Sequence, residues 1–216
     1  MTFISLKKNF YMIMKKVFLI FPAVVILAFS FQATVSAQTK SAKLKATSLK
    51  KGKVQLARGA VKSIIDLSKD VSGCITVYDR SDPKVKMDTT NISLFDTVVK
   101  GGKTYVVLLA EINSGCNITG ECGAATDTTL VWLKLNSALK VESKKAVVVQ
   151  SCFWGDIHLT EESGDIKLKG GKLSLQIETN RFKSDLEYSV STVTYDRAAP
   201  EKGLEVKTEK PPRPVN

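Results

Sequence analysis

Residues 165–178 read DIKLKGGKLSLQIE, and this stretch decides the fold class. Gly170 and Gly171 predict a two-residue turn, so that Leu168 faces Leu173 across a hairpin. The apolar side chains then share one face, and the lysine, serine and glutamine side chains share the other. This alternation predicts antiparallel strands with one buried face and one solvated face.

The same strand pattern extends along the chain. A second Lys-Gly-Gly-Lys, at 100–103, predicts another hairpin. Its second strand, 105–112, is apolar at successive positions and should be covered on both faces. Further strands are predicted at 74–79 and 185–196, with alternating burial, and at 128–136 and 145–154, in the interior. The sequence therefore predicts an all-β protein, an antiparallel β-sandwich or jelly roll of about nine to eleven strands.

The N-terminus predicts export. Residues 1–37 are interpreted as a secretory signal peptide, with Met14 as an alternative start, because a Lys-Lys pair precedes an apolar run and a Val-Ser-Ala cleavage point. The apolar run is about 15 residues long, whereas a membrane span needs roughly 20, so no span is expected after cleavage. The Lys-Lys start is typical of bacteria. We expect a secreted or periplasmic protein.

Positive charge is concentrated near the predicted mature start. The whole chain has a net charge of +11, and residues 38–62 contain eight basic residues and no acid, whereas 63–216 contain 20 basic and 21 acidic residues. Residues 38–53 are interpreted as a basic flexible leader, 54–209 as a single all-β domain, and 210–216 as a disordered Pro-rich tail. The nearly neutral domain argues against a nucleic-acid partner. The leader fits either attraction to anionic lipid or polysaccharide, or a solvated arm.

The four cysteines predict disulfides. An even number in an exported chain favours bridges, and neither zinc-type nor thioredoxin-type Cys spacing occurs. Of the three possible connectivities we favour Cys116 with Cys122 and Cys74 with Cys152. Residues 113–127 are then a disulfide-pinned loop at the rim of the sheet.

This loop and two tryptophans supply the candidate binding residues. Asn117, Glu121 and Asp127 carry oxygen atoms of the kind that Ca²⁺ binds, but their spacing matches no EF-hand, and solvated side chains are the alternative. We therefore predict no metal site. Trp132 and Trp154 have the flat aromatic faces that stack on sugars, although both lie in apolar strands where core packing is the alternative.

Candidate catalytic residues surround the single histidine. His158 shares a predicted strand face with Asp156, and Glu161 follows closely. This set would suit a glycan-directed hydrolase that uses carboxylates, whereas an ordinary surface histidine is the alternative. No motif for a bound cofactor occurs, and none is predicted.

Together these features predict a function class but no specific ligand. We expect a secreted or periplasmic, non-catalytic binding or envelope-associated module. Its expected partner is a cell-surface polysaccharide or another envelope protein. The alternatives are the hydrolase with carboxylates near His158 and a structural subunit that assembles through an edge strand.

Overall fold

The computed structural model describes residues 42–78, 86–116, 122, 125–152, 157–163, 165–180 and 188–210. The elements below all belong to one compact unit, Lys43–Asn216. The predicted signal peptide, the first residues of the predicted leader (38–41) and the tail beyond Lys210 lie outside the described residues.

Within the described residues the chain forms thirteen strands, two 3₁₀ turns and no α-helix, which confirms the all-β prediction and exceeds the expected strand number. The strands are β1 (Lys45–Leu49), β2 (Lys53–Arg58), β3 (Val61–Asp66), β4 (Thr76–Tyr78), β5 (Lys86–Asp88), β6 (Asn91–Lys100), β7 (Lys103–Asn113), β8 (Thr126–Leu135), β9 (Val141–Gln150), β10 (Ile157–Leu159), β11 (Lys172–Asn180), β12 (Tyr188–Asp196) and β13 (Glu205–Glu209). The 3₁₀ turns are Glu161–Ser163 and Pro200–Lys202.

The strands pair antiparallel in four sheets. We call β1-β2-β3 the N-terminal sheet, β6-β7-β8-β9 the central sheet and β10-β11-β12-β13 the C-terminal sheet. The fourth is a two-stranded ribbon, β4-β5. This arrangement is a sandwich-like all-β fold.

The central sheet is covered on both faces, as the apolar run in β7 predicts. Val106 and Leu108 pack in one core cluster with Leu56 and other side chains of the N-terminal sheet. Val107 packs in a second cluster with Leu175 and other side chains of the C-terminal sheet. Successive residues of β7 thus point into different cores, because strand side chains alternate between faces. The result is three stacked layers with two cores.

The Gly-Gly turns form as predicted, but one predicted strand does not. Both glycines have positive φ in each turn, the backbone of a type I′ hairpin, and Lys100 pairs with Lys103 as Lys169 pairs with Lys172. Residues 165–168 form no strand, however. The backbone of Gln176, which would face 165, instead exchanges hydrogen bonds with the Ser163 hydroxyl. The prediction of a full hairpin over 165–178 is therefore wrong.

Two further expectations need correction. The flexible leader predicted at 38–53 contains β1. Ala46 of β1 and the preceding Leu44 pack in the first core cluster, while Lys43 and Lys45 are exposed. The Lys-Leu-Lys-Ala alternation is thus a strand pattern that the charge concealed. The strand predicted in the interior at 145–154 is part of β9, which lies at an edge of the central sheet, although its Val147 and Val149 pack in the second core cluster as predicted.

Candidate functional site

The four cysteines form two bridges, but not in the predicted pairs. Cys74 bonds Cys116, and Cys122 bonds Cys152. The loop between β7 and β8 is therefore fastened to a different neighbouring segment at each of its two cysteines, rather than to itself. Two such bridges are typical of proteins that fold in an oxidising compartment, outside the reducing cytoplasm.

Asp127 is the second residue of β8, which follows this loop, and it is fully buried, with 0% exposure. The hydroxyls of Ser72 and Ser151 donate to its Oδ2, the latter at 2.8 Å, and the Ser114 hydroxyl donates to Oδ1. Both carboxylate oxygens are thus engaged inside the protein. Asp127 is therefore not available as a calcium ligand. The other two candidate ligands, Asn117 and Glu121, lie outside the described residues.

Within the described part of the chain, no group of three or more His, Cys, Asp or Glu side chains is arranged to hold a metal ion.

Trp132 is a core residue with 6% exposure. Its Nε1–H donates to the carbonyl of Pro200 at 3.0 Å, and its ring stacks on Tyr105 with centroids 6.2 Å apart. Burial of the ring against the C-terminal sheet excludes it as a platform for sugars. Trp154 lies outside the described residues.

The histidine lies on the outer face of the C-terminal sheet. His158 pairs across the strands with Glu178, and its Nε2 is 3.3 Å from the Glu178 carboxylate, with the imidazole side chain 47% exposed. A shallow groove here is lined by both residues together with Glu161 and Gln176. The structure thus brings His158 and Glu161 to one groove, while Asp156 lies outside the described residues.

Glu178 is the residue of this groove that sequence reasoning missed. It also accepts a hydrogen bond from Tyr188, whose pKa is raised by partial burial and then by the Glu178 charge. Alternation with Leu175 and Ile177 places Glu178 on the outer face. Only the register of β10 on β11 reveals that it faces His158.

The most uneven charge distribution is on the outer face of the N-terminal sheet. Val54 and Leu56 of β2 point to the core, so the intervening positions point outward. In the strand register the outward side chains form three rows: Lys45, Ala57 and Lys62; Thr47, Gln55 and Ile64; and Leu49, Lys53 and Asp66. The basic face is defined as Lys45, Lys53 and Lys62 of these rows, together with the flanking Lys43, Lys50 and Lys51.

Acidic groups near the basic face are few and already engaged. Asp66 is 3.8 Å from the Lys53 ammonium, and hydrogen bonds from Ser68, followed by the charge of Lys53, hold the pKa of Asp66 below its ordinary value. Asp88 accepts the backbone N–H of Lys51 at 2.6 Å. Lys45 and Lys62 form no ion pair with any described residue. Their positive charge is therefore not balanced within this part of the protein.

The fold and this face define a disulfide-linked, three-layer all-β protein with a lysine-rich outer sheet. Comparison with protein-family models, with curated proteins and with solved structures finds no match to the chain. Among the residues that the structure describes, no helix has the length and apolar character needed to cross a membrane.

Proposed function

We propose that the protein is an exported, non-catalytic binding module that attaches to an acidic polysaccharide of the bacterial cell envelope through its basic face. The observation that carries this proposal is the outward row of Lys45 and Lys62, which have no described acidic partner. Their Cα atoms are separated by two strand spacings, about 10 Å.

The geometry of the face favours a polymer. A sheet held on a buried core fixes the backbone positions of its lysines, so only their side chains need further ordering on binding. Carboxylates that repeat along a sugar chain can meet several ammonium groups at once. The exposed Ile64, with 62% exposure, offers an apolar contact for a sugar ring between two rows that carry lysines.

A nucleic acid fits this face less well. Proteins that bind single strands combine positive charge with aromatic rings on which bases stack. The nine outward side chains of the three rows include no aromatic residue. The remainder of the chain, 63–216, is also nearly neutral. Both observations support an anionic polymer without bases as the partner.

The test is direct binding to alginate, a polyuronate, with neutral dextran as the control ligand. The double variant Lys45→Gln/Lys62→Gln should bind alginate about 10-fold more weakly, because each lysine near an anionic surface contributes about 1 kcal/mol at most. The matched control is Lys172→Gln/Lys207→Gln, which removes two exposed charges from the C-terminal sheet and should bind like the wild type. Equal losses in both variants, or equal binding of dextran, would contradict the proposal.

Binding must also weaken as salt is added, because exposed charges are screened within about 10 Å at 0.1 M ionic strength. Vesicles that contain phosphatidylglycerol form the second arm of the experiment. Binding of the vesicles together with failure to bind alginate would assign the basic face to lipid and overturn the polysaccharide proposal.

The groove at His158 supports the hydrolase as a second candidate. The imidazole and the Glu178 carboxylate are in contact, and Glu161 lines the same groove. A hydrolase would release reducing ends from an envelope glycan, and Glu178→Gln would abolish that release. No release by the wild type would remove this candidate.

An assembly subunit is the third candidate, supported by the exposed outer strand of the N-terminal sheet. Val61 and Ile64 of β3 are both exposed, and among the described strands β3 pairs with β2 alone. Such an edge can accept a strand from another chain. Light scattering of the concentrated protein would show mass growth if β3 assembles, and a constant monomer mass would reject assembly.

A further inference from the structure

One buried carboxyl group gathers three segments that are distant in sequence. Asp127 begins the buried part of β8, and the serines that bond it come from the segment before β4, the residue after β7 and the residue after β9. All four residues are buried. In such a place an unbonded hydroxyl or carboxyl is costly, so the three donors and their acceptor hold one another in position.

Each of these serines is close to a cysteine in sequence. Ser72 precedes Cys74 by two positions, Ser114 precedes Cys116 by two, and Ser151 immediately precedes Cys152. Whatever fixes the serines therefore also fixes three of the four cysteines.

Backbone hydrogen bonds complete the alignment of these segments. Cys74 N–H donates to the carbonyl of Asn113 at 2.6 Å, which places Cys74 next to the end of β7 and hence near Cys116. Ala125 N–H donates to the carbonyl of Cys122 at 3.2 Å, which ties Cys122 to the start of β8. Ser151 exchanges two backbone bonds with Ile157. The cysteines are thus aligned by contacts other than the bridges themselves.

Gly73 is independent evidence that the segment before β4 packs closely against the end of β7. Its φ is +97°, and a Cβ at this position would lie 2.7 Å from the carbonyl oxygen of Asn113. Any other residue would push the Ser72–Cys74 segment away from β7. The chain therefore keeps a glycine where the segment that carries Cys74 meets its partner.

Chain statistics alone favour a different pairing. Cys116 and Cys122 have a sequence separation of 6, whereas the observed bridges span sequence separations of 42 and 30. In a flexible chain, closing the shorter loop is favoured by about tenfold on loop entropy. The observed pairing therefore depends on structure that brings the distant cysteines together.

We propose that the carboxyl group of Asp127 is a pairing guide, which gathers Ser72, Ser114 and Ser151 before oxidation and so directs Cys74 to Cys116 and Cys122 to Cys152. Each bridge then forms by exchange with a small-molecule disulfide. Two protein thiols lose two electrons and two protons, and the small disulfide leaves as two thiols. This role is independent of the proposed binding function.

The test is oxidative refolding of the full chain. Wild type, Asp127→Ala and Asp127→Asn are reduced, unfolded and reoxidised in a buffer of reduced and oxidised glutathione. The bridges are then mapped by mass spectrometry after proteolysis without reductant. We expect mostly native pairs in the wild type, and at least a threefold lower native share in Asp127→Ala, with Cys116–Cys122 as the main product. The Asn variant, which keeps one acceptor oxygen, should fall between them.

Two controls separate guidance from general destabilisation. Asp165→Ala removes an exposed carboxylate far along the chain and should leave the pairing native. Leu56→Ala weakens a core cluster that includes neither Asp127 nor its three serine donors, and it should also give native pairs despite its lower stability. Wrong pairing in Leu56→Ala to the same degree would overturn the proposal.

Further variants test the proposal even if Asp127→Ala does not refold. Ser114→Ala and Ser72→Ala each remove one donor from Asp127 and should each lower the native share by a smaller factor. In addition, the variant with all four cysteines changed to serine should keep slow amide hydrogen exchange at Thr128 and Thr129. Native pairing in every serine variant, or fast exchange at both amides, would overturn the proposal.

Discussion

The N-terminal and C-terminal sheets cover opposite faces of one central sheet, yet they are joined to it by different polar contacts. On the C-terminal side, Trp132 donates to Pro200 and Tyr195 donates to the buried Asp96. On the N-terminal side, the Arg58 guanidinium donates to the Thr104 hydroxyl at 2.8 Å. Both outer sheets pack on the central sheet through apolar side chains, so the two interfaces differ in their polar contacts.

The outer faces of the two sheets also differ, in how their lysines are paired. On the C-terminal sheet, Lys172 is 3.7 Å from Asp196, and Lys207 is 2.8 Å from Glu209, so positive groups have local acidic partners. On the N-terminal sheet, Lys45 and Lys62 have none among the described residues. These lysines of the C-terminal sheet are thus paired within the protein, whereas the N-terminal sheet presents positive charge that an external partner can meet.

The largest expected effect comes from the cores, where the two layers should be alike. Leu56 and Leu175 are fully buried on opposite sides of the central sheet. Changing either to Ala should lower the free energy of unfolding by about 2–5 kcal/mol, because transfer energy is lost and a cavity remains. Urea denaturation measures both values. A loss below about 1 kcal/mol for Leu56→Ala alone would mean that the N-terminal sheet is a loosely attached layer.

The next effect should appear on the C-terminal side only. In Tyr195→Phe the buried Asp96 loses a donor whose hydroxyl lies 2.9 Å from its Oδ2. Arg197, 3.5 Å from Oδ1, remains. We expect a loss of about 1–3 kcal/mol in the free energy of unfolding, measured by urea denaturation at neutral pH. Tyr188→Phe, at a more peripheral tyrosine, is the matched control and should lose less.

The stability of the C-terminal side should depend on pH through Tyr195. Burial, followed by the hydrogen bond to Asp96, raises the pKa of Tyr195 well above its ordinary value of 10.0. A raised pKa in the folded state means that the stabilisation is fully present below pH 10 and is lost as the pH rises above it. The melting temperature of the wild type should therefore fall above about pH 10, and it should fall more steeply than that of Tyr195→Phe. Parallel curves would contradict the assignment to Tyr195.

Much of the fold could be predicted because it depends on local patterns. The apolar run of β7 predicts a strand covered on both faces, and the two glycines of each Gly-Gly pair adopt the positive φ that the turn needs. By contrast, β1 lies within residues 38–53, whose lysines led to the interpretation as a solvated leader. Yet Leu44 and Ala46, which alternate with those lysines, already carry the strand signal.

The contents of the candidate sites could be predicted less well, because they depend on register and on contacts between distant segments. Asp127 was singled out as a loop ligand, but its three serine donors lie 13 to 55 positions away. The cysteine pairs follow the same distant contacts, so spacing alone favoured a short loop. Likewise, Glu178 becomes the neighbour of His158 only through the pairing of β10 with β11.

A smaller effect is expected from the ion pair that joins the central hairpin to the C-terminal side. Lys100 Nζ lies 3.0 Å from the Glu201 carboxylate, and both side chains are about half exposed. Hydrogen bonding to Lys100 helps to hold the pKa of Glu201 below its ordinary value, after a backbone hydrogen bond. Because solvent screens such pairs, Lys100→Met should lower the free energy of unfolding less than Tyr195→Phe does at low salt, and less still in 1 M salt. A loss that salt does not reduce would point to packing of the lysine stem instead.

The smallest stability effect should be found where the functional effect is largest. Lys45 and Lys62 are exposed, and neither has an ion-pair partner among the described residues, so Lys45→Gln/Lys62→Gln removes charge without removing a described contact. The free energy of unfolding should stay within about 0.5 kcal/mol of the wild type, or rise slightly as repulsion within the basic face is relieved. Urea denaturation at low salt is the measurement, with Lys172→Gln/Lys207→Gln as the reference because each of those lysines has an acidic partner. A loss above about 1 kcal/mol in the first variant would make the lysines structural, and the two outer sheets would then differ less than their surfaces indicate.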